Sequence, residues 1–274
     1  MTPDTATTNQ PQQSDLLVPF EIRNIPDKYR EYYAIKRHNF FASIQGFAEI
    51  WKGYHLLDAI WLREIGDLEV ARDFSRVFPL MLYTNVHAKI RVAIELAFSG
   101  CMAEGRSILR DAIEYVAHAH HMLKDPLLQN VWLDKADNDD AFKDAFERNK
   151  KQGLFNGLKE LHHQWGELCE LGSHATPLAL SERFVISDTP EGQRWSLNYT
   201  VLDERLWAMG LLSMLLTCFV MERTFFEDYN SRLQLDDTLV KMRSEFERYK
   251  EQLRRSVIVR YKVPPPPQPL VQVP

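Results

Sequence analysis

The sequence lacks the motifs that mark the common enzyme classes. Its 274 residues contain no Gly-x-Ser-x-Gly nucleophile motif, no phosphate-binding glycine loop and no dinucleotide fingerprint. These absences argue against α/β-hydrolases, kinases and dehydrogenases. A His-Glu-x-x-His zinc motif is missing as well. The sequence therefore names no reaction, and we expect no cofactor.

Cysteine and long apolar runs are also scarce. Cys101, Cys169 and Cys218 are widely spaced and form no Cys-x-x-Cys pair, a usage typical of reduced thiols in the cytoplasm. The first 17 residues lack the basic and apolar regions of a secretory signal. The longest uncharged run, 206–221, has 16 residues, short of the roughly 20 that span a membrane. We predict a cytoplasmic protein without membrane contact, in which 206–221 is a buried helix.

Positive charge is concentrated near the C-terminus. The formal net charge is −5, yet residues 238–262 carry eight Lys and Arg against three Glu. The remaining chain is therefore acidic, and an acidic surface disfavours nucleic-acid binding because phosphate contacts need cations. We expect contact with nucleic acid, if any, only through the basic segment 241–262. The same segment could instead be a solvated helix or could contact the acidic part of a second subunit.

Helical spacing of apolar residues predicts the fold. The expectation is an all-α protein: an irregular, mostly antiparallel helical bundle with a small inserted β-hairpin at about 183–199. One helical domain covers 19–263, between a disordered tail at 1–18 and a proline-rich tail at 264–274. That proline-rich tail could be a ligand for an SH3-like groove, but an exposed tail is the favoured interpretation.

Several element boundaries can be predicted from local signals. An aromatic stripe predicts one helix that ends at Gly66: Phe40, Ile44, Phe47, Trp51, Tyr54 and Trp61. Pro79 is expected in the first turn of the next helix, which breaks near Ser99-Gly100. Thr200 and Asp203 resemble a capping box, and Asp236 opens the last helix. Alternation over 257–263 suggests a third strand.

The last helix carries an apolar seam with a two-heptad rhythm. Its members are Leu239, Met242, Phe246, Tyr249 and Leu253. Such a seam packs either on the bundle of the same chain or on a partner subunit.

A polar stripe on the helix over 105–124 is the first candidate for chemistry. At 100° per residue, five side chains fall on one side of that helix: Arg106, Arg110, Glu114, His118 and His121. On an outer face, Arg110 and Glu114 would form an ordinary i,i+4 pair. In a cleft, an arginine could bind a carboxylate or phosphate and a histidine could transfer a proton. We take Arg106, Arg110 and Glu114 as candidate catalytic residues, and His118 and His121 as candidate ligand-binding residues.

Two further positions are candidates. His174 lies in a Gly-Ser-His-Ala-Thr-Pro turn at a helix end, where it could serve catalysis or cap the helix. Glu160 and His163 have the Glu-x-x-His spacing of di-iron bundles. Because no second Glu-x-x-His is present, they remain weak metal candidates and we expect no native metal site.

One resemblance bears on function. The helix Arg-Ser-Ile-Leu-Arg110-Asp-Ala-Ile-Glu114, followed about sixty residues later by Ser173-His174-x-x-Pro177, resembles uncharacterised bacterial all-helical proteins grouped with the HEPN superfamily. The resemblance implies a helical, commonly dimeric protein and RNA cleavage through an Arg-x(4–6)-His signature. In this chain Arg110 and His118 are eight positions apart, which is longer than that signature.

These observations lead to two hypotheses. The first is a self-associating, non-enzymatic helical protein that binds a small ligand or a protein partner. It rests on the apolar seam, the aromatic stripe and the opposite charges of the C-terminal segment and the body. The alternative is a HEPN-like ribonuclease or another stress or phage-defence enzyme, in which Arg106, Arg110, Glu114 and His174 converge on one cleft.

Overall fold

The computed structural model describes residues 26–68, 74–173, 184–197, 200–201 and 203–262. Its helices are α1 (Asp27–Gly46), α2 (Ala48–Asp67), α3 (Phe74–Phe98), α4 (Met102–Lys124), α5 (Leu127–Leu133), α6 (Asp139–Phe142), α7 (Arg148–Lys151), α8 (Lys159–Leu168), α9 (Glu204–Tyr229) and α10 (Asp237–Arg260). A 3₁₀ turn covers Asp134–Ala136, π-helical turns cover Lys143–Glu147 and Cys169–Ser173, and strands β1 (Phe184–Thr189) and β2 (Gly192–Leu197) form the hairpin. The predicted all-α fold with an inserted hairpin is confirmed. The predicted tails at 1–18 and 264–274 lie outside the described residues.

Helices α3 and α4 approach each other closely at Gly105. A Cβ at this position would stand 2.7 Å from the backbone oxygen of Ala93 on α3 and 3.3 Å from Met214 Cε on α9. Backbone cannot yield as the end of a flexible side chain can, so the contact requires glycine. The surrounding core is fully packed, with Ala93, Ala97 and Leu109 0% exposed.

Gly105→Ala should therefore lower the free energy of unfolding by about 1–3 kcal/mol, because the added methyl forces α3 and α4 apart. Urea denaturation followed by circular dichroism measures this change. Gly166→Ala in α8 is the matched control, since its Cβ would meet no atom within 4 Å. A helical alanine there should stabilise the protein by about 0.5–1 kcal/mol. Equal effects of the two substitutions would contradict the packing argument.

The first predicted helix is two helices. Phe47 separates α1 from α2 with φ −117° and ψ 38°, and its side chain packs against Trp207 with ring centroids 5.5 Å apart. The aromatic stripe nevertheless faces the core, where Phe47, Tyr54 and Trp61 are buried.

The placement of Pro79 in a first turn was wrong, because α3 begins at Phe74. Phe78 packs against Trp132 with ring centroids 5.2 Å apart, and Tyr229 donates a 2.9 Å hydrogen bond to the backbone oxygen of Arg76. These contacts offset the one hydrogen bond that proline removes.

Aspartates cap the last two helices. The carboxylate of Asp203 accepts a hydrogen bond from Leu206 N at 2.9 Å, and that of Asp236 accepts one from Leu239 N at 2.8 Å. Asp236 is thus the expected N-cap, whereas the N-cap of α9 is Asp203 and not Thr200. Gly100 ends α3 with φ +85°, a conformation that glycine adopts without strain.

The third strand predicted at 257–263 was wrong. Helix α10 continues to Arg260, and Leu253 and Val257 are 2% and 5% exposed. These two side chains are four residues apart and extend the buried face of the helix by one turn. Packing on the bundle therefore overrides the strand preference of the β-branched residues.

The hairpin has the predicted pairing, with Ile186 opposite Trp195 in an antiparallel register. Its apolar face is not packed as expected, since Ile186 and Trp195 are 51% and 63% exposed.

Helix α9, which contains the uncharged run, is buried in the bundle. It is long and apolar enough to cross a membrane by length and composition, but 72% of its most apolar window is buried in the protein.

Candidate functional site

A cavity of about 310 Å³ opens between α2 and α3, with α1 at its edge. Its floor is apolar and almost fully buried, and consists of Tyr54, Leu57, Trp61, Ile90 and Ile94. These aromatic and aliphatic side chains come from the faces of α2 and α3 that point into the core. A volume at the lower end of the usual range for ligand pockets, with an apolar floor, fits a small molecule.

Aromatic rings form one wall of this α2–α3 cavity. Trp51 is partly buried and stands perpendicular to Phe40 of α1, with ring centroids 5.8 Å apart. The imidazole of His55 packs edge-on against the same indole at 4.6 Å. A flat apolar ligand could stack against this wall, and the adjacent imidazole supplies a polar group at the mouth.

An ion cluster also lines the cavity. Arg91 donates two parallel hydrogen bonds to Asp58, from Nε to Oδ1 and from Nη2 to Oδ2, each of 2.8 Å. His87 Nε2 lies 2.8 Å from Asp58 Oδ1. Burial disfavours the Asp58 carboxylate, but the hydrogen bonds from Arg91 and His87 outweigh it and hold the pKa of Asp58 well below its usual value. The carboxylate is therefore charged at neutral pH and fixes Arg91 at the cavity wall.

The rim of the cavity is polar and open to solvent. The side chain of Arg91 is 53% exposed, and that of Glu95 is 63% exposed with Lys36 Nζ 3.9 Å from its carboxylate. The cavity thus combines an apolar interior with a few polar groups at one side. This arrangement can orient an amphipathic small molecule, with its apolar part inside and its polar part at the rim.

The polar stripe of α4 is not an outer face. Arg106 is 5% exposed, and a Cβ at Gly172 would stand 2.8 Å from its Cβ. Glu114 does not pair with Arg110. Its carboxylate accepts a 2.8 Å hydrogen bond from Trp165 Nε1 and lies 2.7 Å from Lys151 Nζ. The segment from α7 to the second π-helical turn therefore covers the stripe.

Arg110 lies beneath this cover with its Nε atom buried and without a hydrogen-bond partner among the described residues. Its guanidinium contacts the thiol of Cys169. Burial raises the pKa of Cys169, although Arg110 opposes the shift. The thiol is therefore protonated at neutral pH, which does not suit a nucleophile.

The two histidines of the stripe have different surroundings. His118 is 8% exposed and packs against Phe146 and Phe142, with ring centroids 4.7 and 5.8 Å away. Burial, followed by the charges of Lys151 and Lys135, lowers the pKa of His118 to about 3. His121 donates from Nε2 to the backbone oxygen of Leu154 at 2.7 Å. The contacts of both histidines therefore hold α4 to the residues that cover it.

Glu160 and His163 have different partners. Glu160 pairs with Arg223 of α9 at 2.5 Å, and His163 lies 3.4 Å from Glu167 on the surface of α8. In the described ranges no group of three or more His, Cys, Asp or Glu could hold a metal ion. Further ligands for Glu160 and His163 are thus missing from that part of the chain. His174 lies outside the described residues.

Two buried polar clusters were not predicted from the sequence. Arg243 of α10 contacts Glu64 of α2 at 2.6 Å and also contacts Glu222 of α9, and both carboxyl groups are almost fully buried. Burial raises the pKa of both glutamates. On the other side of the bundle, Asp228 accepts a 2.6 Å hydrogen bond from Tyr83 and lies 2.8 Å from His120 Nδ1.

The apolar seam and the basic segment belong to this chain's own bundle. Leu239, Phe246 and Leu253 are at most 2% exposed, so the seam is not available to a partner subunit. Arg243 enters the glutamate cluster, and Arg260 pairs with Glu204 at 3.2 Å. The three features that suggested self-association are therefore used, at least in part, within one subunit.

Sequence reasoning missed the ion cluster of the cavity, although a signal for it exists. His87 and Arg91 are four residues apart on α3, so they share one face. Asp58, their partner on α2, cannot be paired with them before the packing of α2 on α3 is known. No protein-family model, no curated protein and no solved structure matches this chain.

Proposed function

We propose that this protein binds a small, largely apolar molecule in the α2–α3 cavity and acts as a binding protein. The observation that supports this proposal is the cavity itself. It has a volume of about 310 Å³, an apolar floor and the Asp58–His87–Arg91 cluster on one wall. An apolar ligand body against Trp51 and Ile94 would leave water, and a polar group would face Arg91 at the rim. The three buried free thiols support the proposal of a cytoplasmic protein.

Filling the cavity should abolish binding. Ile94→Trp places a larger side chain on the floor and should weaken the binding of 1-anilinonaphthalene-8-sulfonate, an apolar fluorescent probe with one anionic group, by about tenfold or more. Fluorescence titration measures the dissociation constant. Val92→Trp is the matched control, because Val92 is 49% exposed on the same helix. Equal affinities of the two variants would refute the cavity as the site.

Native mass spectrometry of freshly purified, untagged protein tests the natural ligand and the predicted homo-oligomer together. A retained mass that is lost in Ile94→Trp but kept in Val92→Trp would support the proposal and give the mass of the ligand. Self-association stays a prediction, and a monomer at micromolar concentration would contradict it.

We do not extend the proposal to RNA cleavage. A HEPN-like ribonuclease would need Arg106, Arg110, Glu114 and His174 around a cleft open to substrate. Arg106 is 5% exposed, and Glu114 is engaged by Trp165 and Lys151. These contacts favour a role of the α4 stripe in holding the helices together.

A further inference from the structure

Exposed aromatic rings follow one ridge of α1. Tyr29, Tyr33 and Phe41 are 61%, 53% and 53% exposed and lie at i, i+4 and i+12. We call these three residues the α1 ladder. Arg37 fills the intervening position, with its guanidinium 5.8 Å from the Phe41 ring. Aromatic side chains and arginine are enriched in protein-binding surfaces. Large apolar groups that lie exposed side by side indicate such a surface.

The described chain ends beside the same helix. A concavity of about 240 Å³ is lined by Gln45 and Gly46 at the end of α1 and by Val257 and Tyr261 at the end of α10. A hydrogen bond of 3.1 Å from Ser256 Oγ to a carboxylate oxygen of Glu49 joins α10 to the first turn of α2, which follows α1 directly. Gln45 follows Phe41 by four residues and so continues the ridge of the α1 ladder. The chain therefore leaves α10 at the end of this ridge.

The residues that follow have the chemistry that such a ridge recognises. Residues 263–274 read VPPPPQPLVQVP and carry no charged side chain. Consecutive prolines favour the polyproline II conformation, so the tail loses little conformational entropy when it binds. In this conformation the pyrrolidine rings are exposed. Proline has no N–H donor, so its carbonyl oxygens remain available. Tyrosine offers both an aromatic face for the rings and a hydroxyl donor for the carbonyls.

The length of the tail agrees with this match. Twelve residues in polyproline II extend about 37 Å at 3.1 Å each, whereas the 16 residues from Gln45 back to Tyr29 span about 24 Å of helix. We propose that the proline-rich tail (264–274) docks on the α1 ladder of its own chain, antiparallel to α1.

Photo-crosslinking of the full-length protein tests this proposal. With Tyr33 replaced by p-benzoylphenylalanine, irradiation should join position 33 to the tryptic peptide 263–274, and the product should keep the mass of one chain. The same replacement at Met81, which is 61% exposed on α3, is the control and should give no such product. Mass spectrometry of the digest identifies the joined peptides.

A second variant separates recognition of prolines from mere proximity. Changing Pro264, Pro265, Pro266 and Pro267 to serine in the Tyr33-substituted chain should lower the crosslinking yield about tenfold, as expected for a loss of roughly 1.4 kcal/mol. An unchanged yield would overturn the recognition. A product found only at the mass of two chains would overturn docking within one chain. Crosslinks from position 33 that never contain 263–274, including those to another protein, would overturn the proposal as a whole.

Discussion

Replacing Arg243 with methionine should lower the free energy of unfolding by about 3–5 kcal/mol, because the substitution leaves two buried carboxyl groups without their cation. Arg243 is the group that contacts both Glu64 and Glu222, and its guanidinium also stands 3.6 Å from the centre of the Phe226 ring. The cluster joins α2, α9 and α10. The loss should therefore appear as a lower midpoint of the whole urea transition, with an unchanged slope.

Two comparisons identify the cause of this loss. Arg254→Met removes an exposed arginine from the same helix and should change stability by no more than about 0.5 kcal/mol. Combining Arg243→Met with Glu64→Met and Glu222→Met removes every charge of the cluster, and should recover most of the loss because an apolar replacement needs no desolvated ion. A triple variant that is less stable than Arg243→Met alone would contradict the electrostatic explanation.

Most helices could be predicted from the sequence because their causes are local. The period of the aromatic stripe, the N-cap Asp236 and the break at Gly100 each lie within a few residues of the structure that they determine. The errors arose where distant packing decided the outcome. The β-branched run after Leu253 is helical because it covers α2. The single helix expected to carry the aromatic stripe up to Gly66 divides at Phe47, which packs on Trp207 of α9.

The candidate site could be predicted only in part. The aromatic stripe supplied Trp51, Tyr54 and Trp61, which line the cavity. The polar wall joins Asp58 to a residue 29 positions away, and the glutamate cluster joins positions 179 apart. Neither pairing has a sequence signal before the helices are packed. The α4 stripe shows the converse: the periodicity of its polar groups was clear, but a solvent face and a covered seam produce the same periodicity.

Substituting His118 with leucine should remove much of the acid sensitivity of the fold. Burial lowers the pKa of His118 to about 3, while the unfolded chain titrates near 6.5. Between these values the unfolded state binds a proton that the folded state does not, so the free energy of unfolding falls as the pH decreases from 6.5 towards 3. At about 1.4 kcal/mol for each pH unit, the cost at pH 3 is at most about 5 kcal/mol.

The leucine variant has no such proton to bind. It should equal or exceed the parent in stability at pH 7, since leucine suits the rings of Phe142 and Phe146 and removes Nδ1, which is buried without a hydrogen bond among the described residues. Its advantage should then grow as the pH falls from 6.5 to 4. Other titrating groups contribute equally to both proteins, so the difference between two urea-unfolding series isolates His118. His163→Leu, at an exposed histidine of α8, provides the surface control. An advantage of His118→Leu that stays constant over this pH range would contradict this prediction. It would mean that the imidazole of His118 is protonated in the folded protein, without opening the contact between α4 and the segment that covers it.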